Sequence, residues 1–150
     1  MIDCRKGECA MRKLIAALVM LCLLACTFIP SVSFTEDKDT VLLARAIYAL
    51  GRNESYDTKL ALGSVVMNRV DSSWFGCSLG EVLEEQQQFP TGSRYDDESL
   101  RAAHAVLSGE RTLPENALYY QACDASNPWG ETNRVESSGS YHFYSRSGNM

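Results

Sequence analysis

Few residues in this 150-residue chain carry side chains suited to chemistry, and they are widely spaced. The two histidines, His104 and His142, lie far apart, and there is no CxxC or HExxH pattern. That leaves no metal-ligand spacing and implies no cofactor. Glu54 is a carboxylate just before a helical stretch, where the helix dipole alone would favour it. Asn68 and Arg69 end that stretch, as a capping amide and a C-terminal cation often do. Gln88 and Phe89 close the run EEQQQF ahead of a Pro/Gly loop. Tyr119, Tyr120, Tyr141, Phe143 and Tyr144 crowd two short segments, where such residues mostly serve as core and cross-strand pairs. His142 lies between two of them and reads as a hydrogen-bonded structural histidine, and His104 as a surface one.

The elements that must position these residues follow from apolar spacing. From Thr40, Leu42, Leu43, Ala46, Ile47 and Leu50 share one helical face with Arg45 opposite, and Gly51 and Asn53 interrupt the run. Leu62, Val65, Val66 and Val70 predict a second helix over residues 56–70. Ser78 and Glu81 fit a capping box that opens a short helix to about residue 85. Asp97 can cap a further helix with Leu100, Ala103, Val106 and Leu107 as its buried stripe, stopped at Gly109. Residues 117–121 and 140–145 predict strands, with a long polar loop over 124–139 between them. The fold class is α+β: helices first, a small antiparallel sheet last.

Residues 14–29 carry no charge, follow Arg12 and Lys13, and precede the small residues Ser31 and Ser33. This is the pattern of a secretory signal peptide over residues 1–33, with Met11 as an alternative start. An uncleaved anchor or a lipoprotein acylated at Cys26 are the other readings. A linker over 34–39 and one domain over 40–150 complete the division. The chain holds 14 basic against 19 acidic residues, and four of the basic ones precede residue 34. So acidic a domain argues against nucleic acid as a partner, and membrane contact is expected only through the N-terminal segment. Of six cysteines, Cys77 and Cys123 remain beyond that segment. In an exported domain they can close one disulfide, worth roughly 4 kcal/mol for such a loop in the chain-entropy model, or stay as two thiols.

The stretch LLARAIYALGRNESYDTKLALGSVVMNRV, beginning at Leu42, resembles the opening of the SleB-type (spore-cortex-lytic) cell-wall hydrolases. It shows an ARA-x-Y-A helix, a junction bearing Gly and Glu, and a helix ending in Asn-Arg. Gln88-Phe89, LRAAHAVLSGE, Tyr119-Tyr120 and His142-Phe143 follow in the family's order, so the resemblance spans residues 40–146. It implies a helical lysozyme- or lytic-transglycosylase-like lobe acting on peptidoglycan glycan strands in the cell wall, spore cortex or medium. Another lytic or regulatory protein is a further possible partner. A single glutamic acid would protonate the leaving glycosidic oxygen, and in transglycosylation the carboxylate would then deprotonate the sugar hydroxyl that closes a 1,6-anhydro ring. The resemblance implies that Asn68, Arg69, Gln88, Phe89, Tyr119, Tyr120 and His142 line or support the groove, with Tyr119 or Tyr120 the first choice for stacking on a sugar.

At the junction the family pattern is Ala-Glu-Ala-x-Gly-Glu, with its first Glu as the acid, whereas this chain has Ala49-Leu50-Gly51-Arg52-Asn53-Glu54. Leu50 cannot donate a proton, and only the second glutamate, Glu54, remains. Three readings follow. Glu54 takes the acid's role; the domain binds glycan or a partner without cutting; or Leu50 is a variant within an ordinary enzyme.

Overall fold

The computed structural model describes residues 37–85, 88–90 and 92–146. The expected signal segment and its cysteines, and residues 34–36 of the expected linker, lie outside them. No described helix is long and apolar enough to cross a membrane. Helix α1 (Lys38–Gly51) begins two residues inside the expected linker, and α2 (Tyr56–Asp71) and α3 (Asp97–Leu107) follow. A short π-helical turn (Glu81–Glu85) separates α2 from α3. Strands β1 (Ala117–Ala122), β2 (Arg134–Ser138) and β3 (Tyr141–Ser145) form an antiparallel sheet in the order β1-β3-β2.

The α1 stripe buries Leu43, Ala46 and Ile47 against Leu62, Val65 and Val66 of α2 and Ala102, Ala103 and Val106 of α3. Close approach at the three-helix junction needs a small residue. A Cβ at Gly63 would stand 3.0 Å from Val106 and 3.1 Å from Ile47. Phe143 of β3 joins the same core, so the sheet is seated on the helices.

Helix ends follow their sequence signals with two shifts. Ser55 caps α2 by accepting from the Thr58 amide at 3.3 Å. The cap of α3 is Asp96, one residue before the expected Asp97, and its Oδ1 accepts from Ser99 N at 2.7 Å. At the π-helical turn Ser78 accepts from Glu81 N, but the Glu81 carboxylate reaches the Cys77 amide at 2.7 Å and so falls one residue beyond a true capping box. Gly109 adopts φ +100° where α3 stops, a conformation glycine takes without strain.

Two differences from the sequence reading matter for the site. The expected polar loop over 124–139 holds a 3-10 turn (Glu131–Asn133) and the whole of β2. Strand β2 leaves most of its RVESS side chains exposed, so no apolar alternation marks it. Helix α2, in turn, is buried on almost every face rather than along one stripe.

That burial includes Thr58, Lys59, Ser64, Asn68 and Arg69, none more than 4% exposed. A polar atom taken from water must be matched or it costs about 1–3 kcal/mol. Each of these side chains finds its partner on a different segment. Lys59 pairs with Glu98 and, at 3.7 Å, with Asp96 at the start of α3. Ser64 Oγ donates to Leu60 O and accepts from Thr112 N at 3.2 Å. Asn68 Nδ2 donates to Pro114 O at 2.9 Å and Ala117 O at 3.1 Å. Arg69 Nε donates to Leu118 O at 2.6 Å, and its Nη1 to the Gln88 side chain. Thr58 Oγ1 meets Ser138 Oγ at 2.9 Å. One helix thus fastens α3, the approach to the sheet, β1 and the β2–β3 hairpin.

Two outcomes follow for stability. Burial opposes ionisation of the Asp96 carboxyl, but hydrogen bonding to Ser99 and the nearby Lys59 ammonium outweigh it and hold its pKa below the ordinary value. A depressed carboxyl stabilises above its unfolded pKa, and the contribution is lost as pH falls through the folded value. Asp96→Ala should therefore cost about 1 kcal/mol at neutral pH, chiefly through the lost cap. In urea unfolding its deficit against the parent should shrink in acid, while Asp96→Asn keeps the cap and loses only the charge. Arg69→Met should cost about 3 kcal/mol by the same assay, because the Leu118 carbonyl is left buried without its donor. Arg69→Lys should recover little of this, lacking the planar fork that reaches both partners.

Candidate functional site

The end of α1 meets strand β3 where the acid of the resemblance would stand. Leu50 lies in the last turn of α1, half-buried, with its side chain against the core. Its carbonyl accepts from the Tyr141 hydroxyl at 2.9 Å. The helix ends at Gly51, which is buried against α2; a Cβ there would stand 2.9 Å from Leu62 Cδ1. Leu50 and Glu54 therefore do not share a continuous helical face. The chain turns back through residues 52–54 instead, and Glu54 N donates to Gly51 O at 3.0 Å.

The Glu54 carboxylate is held by the β2–β3 hairpin. Its Oε2 accepts from the Ser140 amide at 3.2 Å. Beside it Gly139 takes φ +54°, and a Cβ there would fall 2.0 Å from Glu54 Oε2 and 2.7 Å from Thr58 Oγ1. Only glycine serves at that turn, for backbone conformation and for space. The hydroxyls of Ser55, Thr58 and Ser138 continue the contact, with spacings of 3.1 and 2.9 Å. Burial pushes the Tyr141 phenol pKa up, and the charge of Glu54 acts in the same direction.

A cleft of about 360 Å³ is lined by Arg69, Gln88, Tyr119, Tyr120 and Trp129, none of them a residue of this junction. Arg69 forms its base, with the guanidinium 4.7 Å from the centres of both the Phe75 and Phe89 rings and 5.6 Å from that of Tyr119. Desolvation lowers the Arg69 pKa to about 10, partly offset by Tyr120 and Tyr119. Tyr120 stacks on buried Phe89 at 5.3 Å and donates its hydroxyl to Gln88 O at 2.9 Å. Burial pushes its phenol up to about 12, with Arg69 pulling down and Tyr141 adding to the rise. Tyr120 also meets Tyr141 edge-on at 6.0 Å, so an aromatic contact leads from the cleft to the ring bonded to Leu50.

Of the residues expected at a groove, the structure brings Arg69, Gln88, Tyr119 and Tyr120 together, with Phe89 behind Tyr120. Asn68 is not among the residues of this cleft; its amide bonds the carbonyls before β1, and it lines a second opening of about 610 Å³ with Trp74, Gly109 and Arg111. His142 also lies apart. Its Nδ1 meets Ser137 Oγ at 2.8 Å and Cys123 Sγ at 3.7 Å, and its Nε2 faces Arg134 at 3.5 Å. The Cys77–Cys123 disulfide is absent: both thiols are free and exposed. Each has a local partner instead, Glu81 for Cys77 and His142 for Cys123. The two loops converge through aromatic contact, Phe75 meeting Tyr119 edge-on at 6.2 Å and Trp129 stacking on it at 4.1 Å. Trp129 is the cleft residue that sequence reasoning did not place; its only signal was the Asn127-Pro128-Trp129-Gly130 turn. Among the described residues, no group of three or more His, Cys, Asp or Glu is placed to hold a metal ion.

Comparison with known proteins places this geometry. The family model described as Cell Wall Hydrolase matches residues 53–144, well over half of the chain. The match takes in Glu54 and every cleft residue, and begins three positions after Leu50. The spore cortex-lytic enzyme of Bacillus subtilis (strain 168) is 34% identical over 100 residues, 63% of this chain and 33% of that protein. That of Oceanobacillus iheyensis is 30% identical over 109 residues, 67% of this chain and 40% of that protein. The chain thus spans a third to two-fifths of the length of these relatives. The crystal structure of the catalytic domain of the Bacillus cereus SleB protein aligns with a TM-score of 0.64 at 26% identity, covering 71% of this chain and 88% of that one. The catalytic domain of the germination-specific lytic transglycosylase SleB from Bacillus anthracis shares the fold, with a TM-score of 0.64 at 24% identity and 75% and 99% coverage. On the family match and the architecture together, this chain belongs to the cell wall hydrolase family.

Proposed function

We propose that this protein is an exported member of the family that holds peptidoglycan glycan strands in the Arg69–Trp129 cleft without cleaving them by itself. It would work at the cell wall or spore cortex, where the relatives named spore cortex-lytic enzymes point. One observation carries the reading. The position that the resemblance gives to the acid is Leu50, and the neighbouring carboxylate, Glu54, is already engaged with the hairpin amide of Ser140. A general acid must present a proton to the leaving oxygen. A leucine has none, and Glu54 is turned to the protein's own backbone. The cleft is otherwise suited to a sugar face rich in hydroxyl and N-acetyl groups, with aromatic rings and an exposed amide at Gln88. The acidic balance of the chain gives no electrostatic attraction to an anionic wall, so binding rests on that surface.

The second reading is glycan cleavage with Glu54 as the acid. It is favoured by the turn that folds Glu54 back onto Gly51, bringing the carboxylate close to the end of α1 where Leu50 sits. Co-sedimentation with purified peptidoglycan and mass analysis of released muropeptides separate the two. The protein should sediment with the wall and release nothing, and Glu54→Gln should sediment equally well. Release of muropeptides that stops in Glu54→Gln would establish the second reading, and failure to sediment would exclude the first.

A further inference from the structure

Tyr119 and Tyr120 are the aromatic residues that sequence and resemblance favour for a sugar, yet in the folded chain both have neighbours on their rings. Tyr120 lies on Phe89, and its hydroxyl is bonded to Gln88 O. Tyr119 is covered by Trp129, with ring centres 4.1 Å apart and planes inclined by 22°. The ring that borders the cleft without a second aromatic neighbour among the described contacts is the half-buried indole of Trp129.

The loop around Trp129 is built to hold that ring in place. Trp129 N donates to Asn127 Oδ1 at 3.0 Å, and its carbonyl accepts from Asn133 Nδ2 at 2.6 Å. Asn127 Nδ2 is bonded in turn to Glu131, whose carboxylate pairs with Arg134 of β2 at 2.8 Å. Gly130 follows with φ +74°, which lets the chain turn directly after the indole. Behind the stack, Tyr119 is braced by Phe75 and by the buried Arg69 guanidinium. An aromatic ring fixed at its backbone and backed by a second ring loses little freedom when a ligand lands on it, which is the condition for an energetically important contact.

We infer that Trp129 is the platform on which one pyranose ring of the glycan strand stacks, with Tyr119 as its backing and the Gln88 side chain beside it to bond a hydroxyl or N-acetyl group. This rests on the glycan-binding reading above and assigns its principal contact. The exposed Trp74 lies outside the cleft, with the Arg146 guanidinium 3.5 Å above its ring, and has no part in the platform.

The chain has two tryptophans, so Trp74→Phe leaves Trp129 as the sole indole reporter. The probe is soluble glycan strands freed of peptide by an amidase, titrated into the full chain. In the Trp74→Phe protein, indole emission should shift saturably with the same affinity measured calorimetrically for the parent. Trp129→Ala should bind about tenfold more weakly, as truncation of a central aromatic contact does. Trp129→Phe should recover much of the loss, and unfolding midpoints should verify that each variant is folded. If the parent binds while folded Trp129→Ala binds equally well and Trp129 emission is unchanged, the platform is wrong and the glycan-binding reading stands. If the parent does not bind these strands, both fall together.

Discussion

A helix buried on almost all sides imposes a constraint on everything around it: each polar atom it takes from water must be met by another part of the chain. Helix α2 buries two cations, an amide and two hydroxyls, and their partners lie on α3, the approach to the sheet, β1, Gln88 and the β2–β3 hairpin. Apolar packing of the three helices supplies the bulk attraction, but it is non-directional. The hydrogen bonds from α2 set the positions of the peripheral segments, because a shifted segment would strand a buried donor. The cleft inherits its geometry from this arrangement. Arg69 fixes Leu118 and Gln88 from one side chain and fills the space beneath three aromatic rings, so its base and two of its walls share one anchor.

The junction at the end of α1 depends on the same helix from its other end. Thr58 lies in the first turn of α2, and with Ser55 and Glu54 it receives the hairpin at Ser138, Gly139 and Ser140. Glycine at 139 lets the carboxylate approach the turn, and Tyr141 then closes onto the Leu50 carbonyl. Through its bond to the Ser140 amide the Glu54 carboxylate links the helical lobe to the hairpin. At this junction the resemblance expects two glutamates; the one present, Glu54, is engaged with the hairpin, and the proposed function takes the other position, Leu50, as lacking its acid.

Much of this was legible in the sequence where local chemistry decides the outcome. The apolar stripes of α1 and α3, the terminating Gly109 and the aromatic pairs of β1 and β3 follow from spacing alone. Where tertiary context decides, spacing was silent. Lys59 and Arg69 look like surface cations on α2, because periodicity counts only apolar residues and cannot reveal that their faces are covered. Strand β2 is polar because most of its side chains face solvent, unlike those of β1 at the other edge, so it reads as loop. Asn68 and His142 sit at family-like positions but away from the Arg69–Trp129 cleft, Asn68 bonded to the carbonyls before β1 and His142 to Ser137, which no one-dimensional pattern reveals. Trp129 lies nine residues beyond Tyr120 in a turn-rich segment, and only folding lays it on Tyr119. The cysteine pair shows the same limit: the sequence leaves both a bond and two thiols open, and in this structure the thiols are free, with Glu81 and His142 as their neighbours.

The proposed function turns on one residue: the chain has the family fold and an aromatic-lined cleft, but a leucine at position 50, where the resemblance places the proton donor. Leu50→Glu tests it directly, by mass analysis of muropeptides released from purified peptidoglycan. The account predicts that this single substitution releases glycan fragments where the unmodified chain releases none. A folded Leu50→Glu protein that binds the wall yet releases nothing would contradict it, because the defect would then lie in the cleft or its chemistry rather than at that one residue.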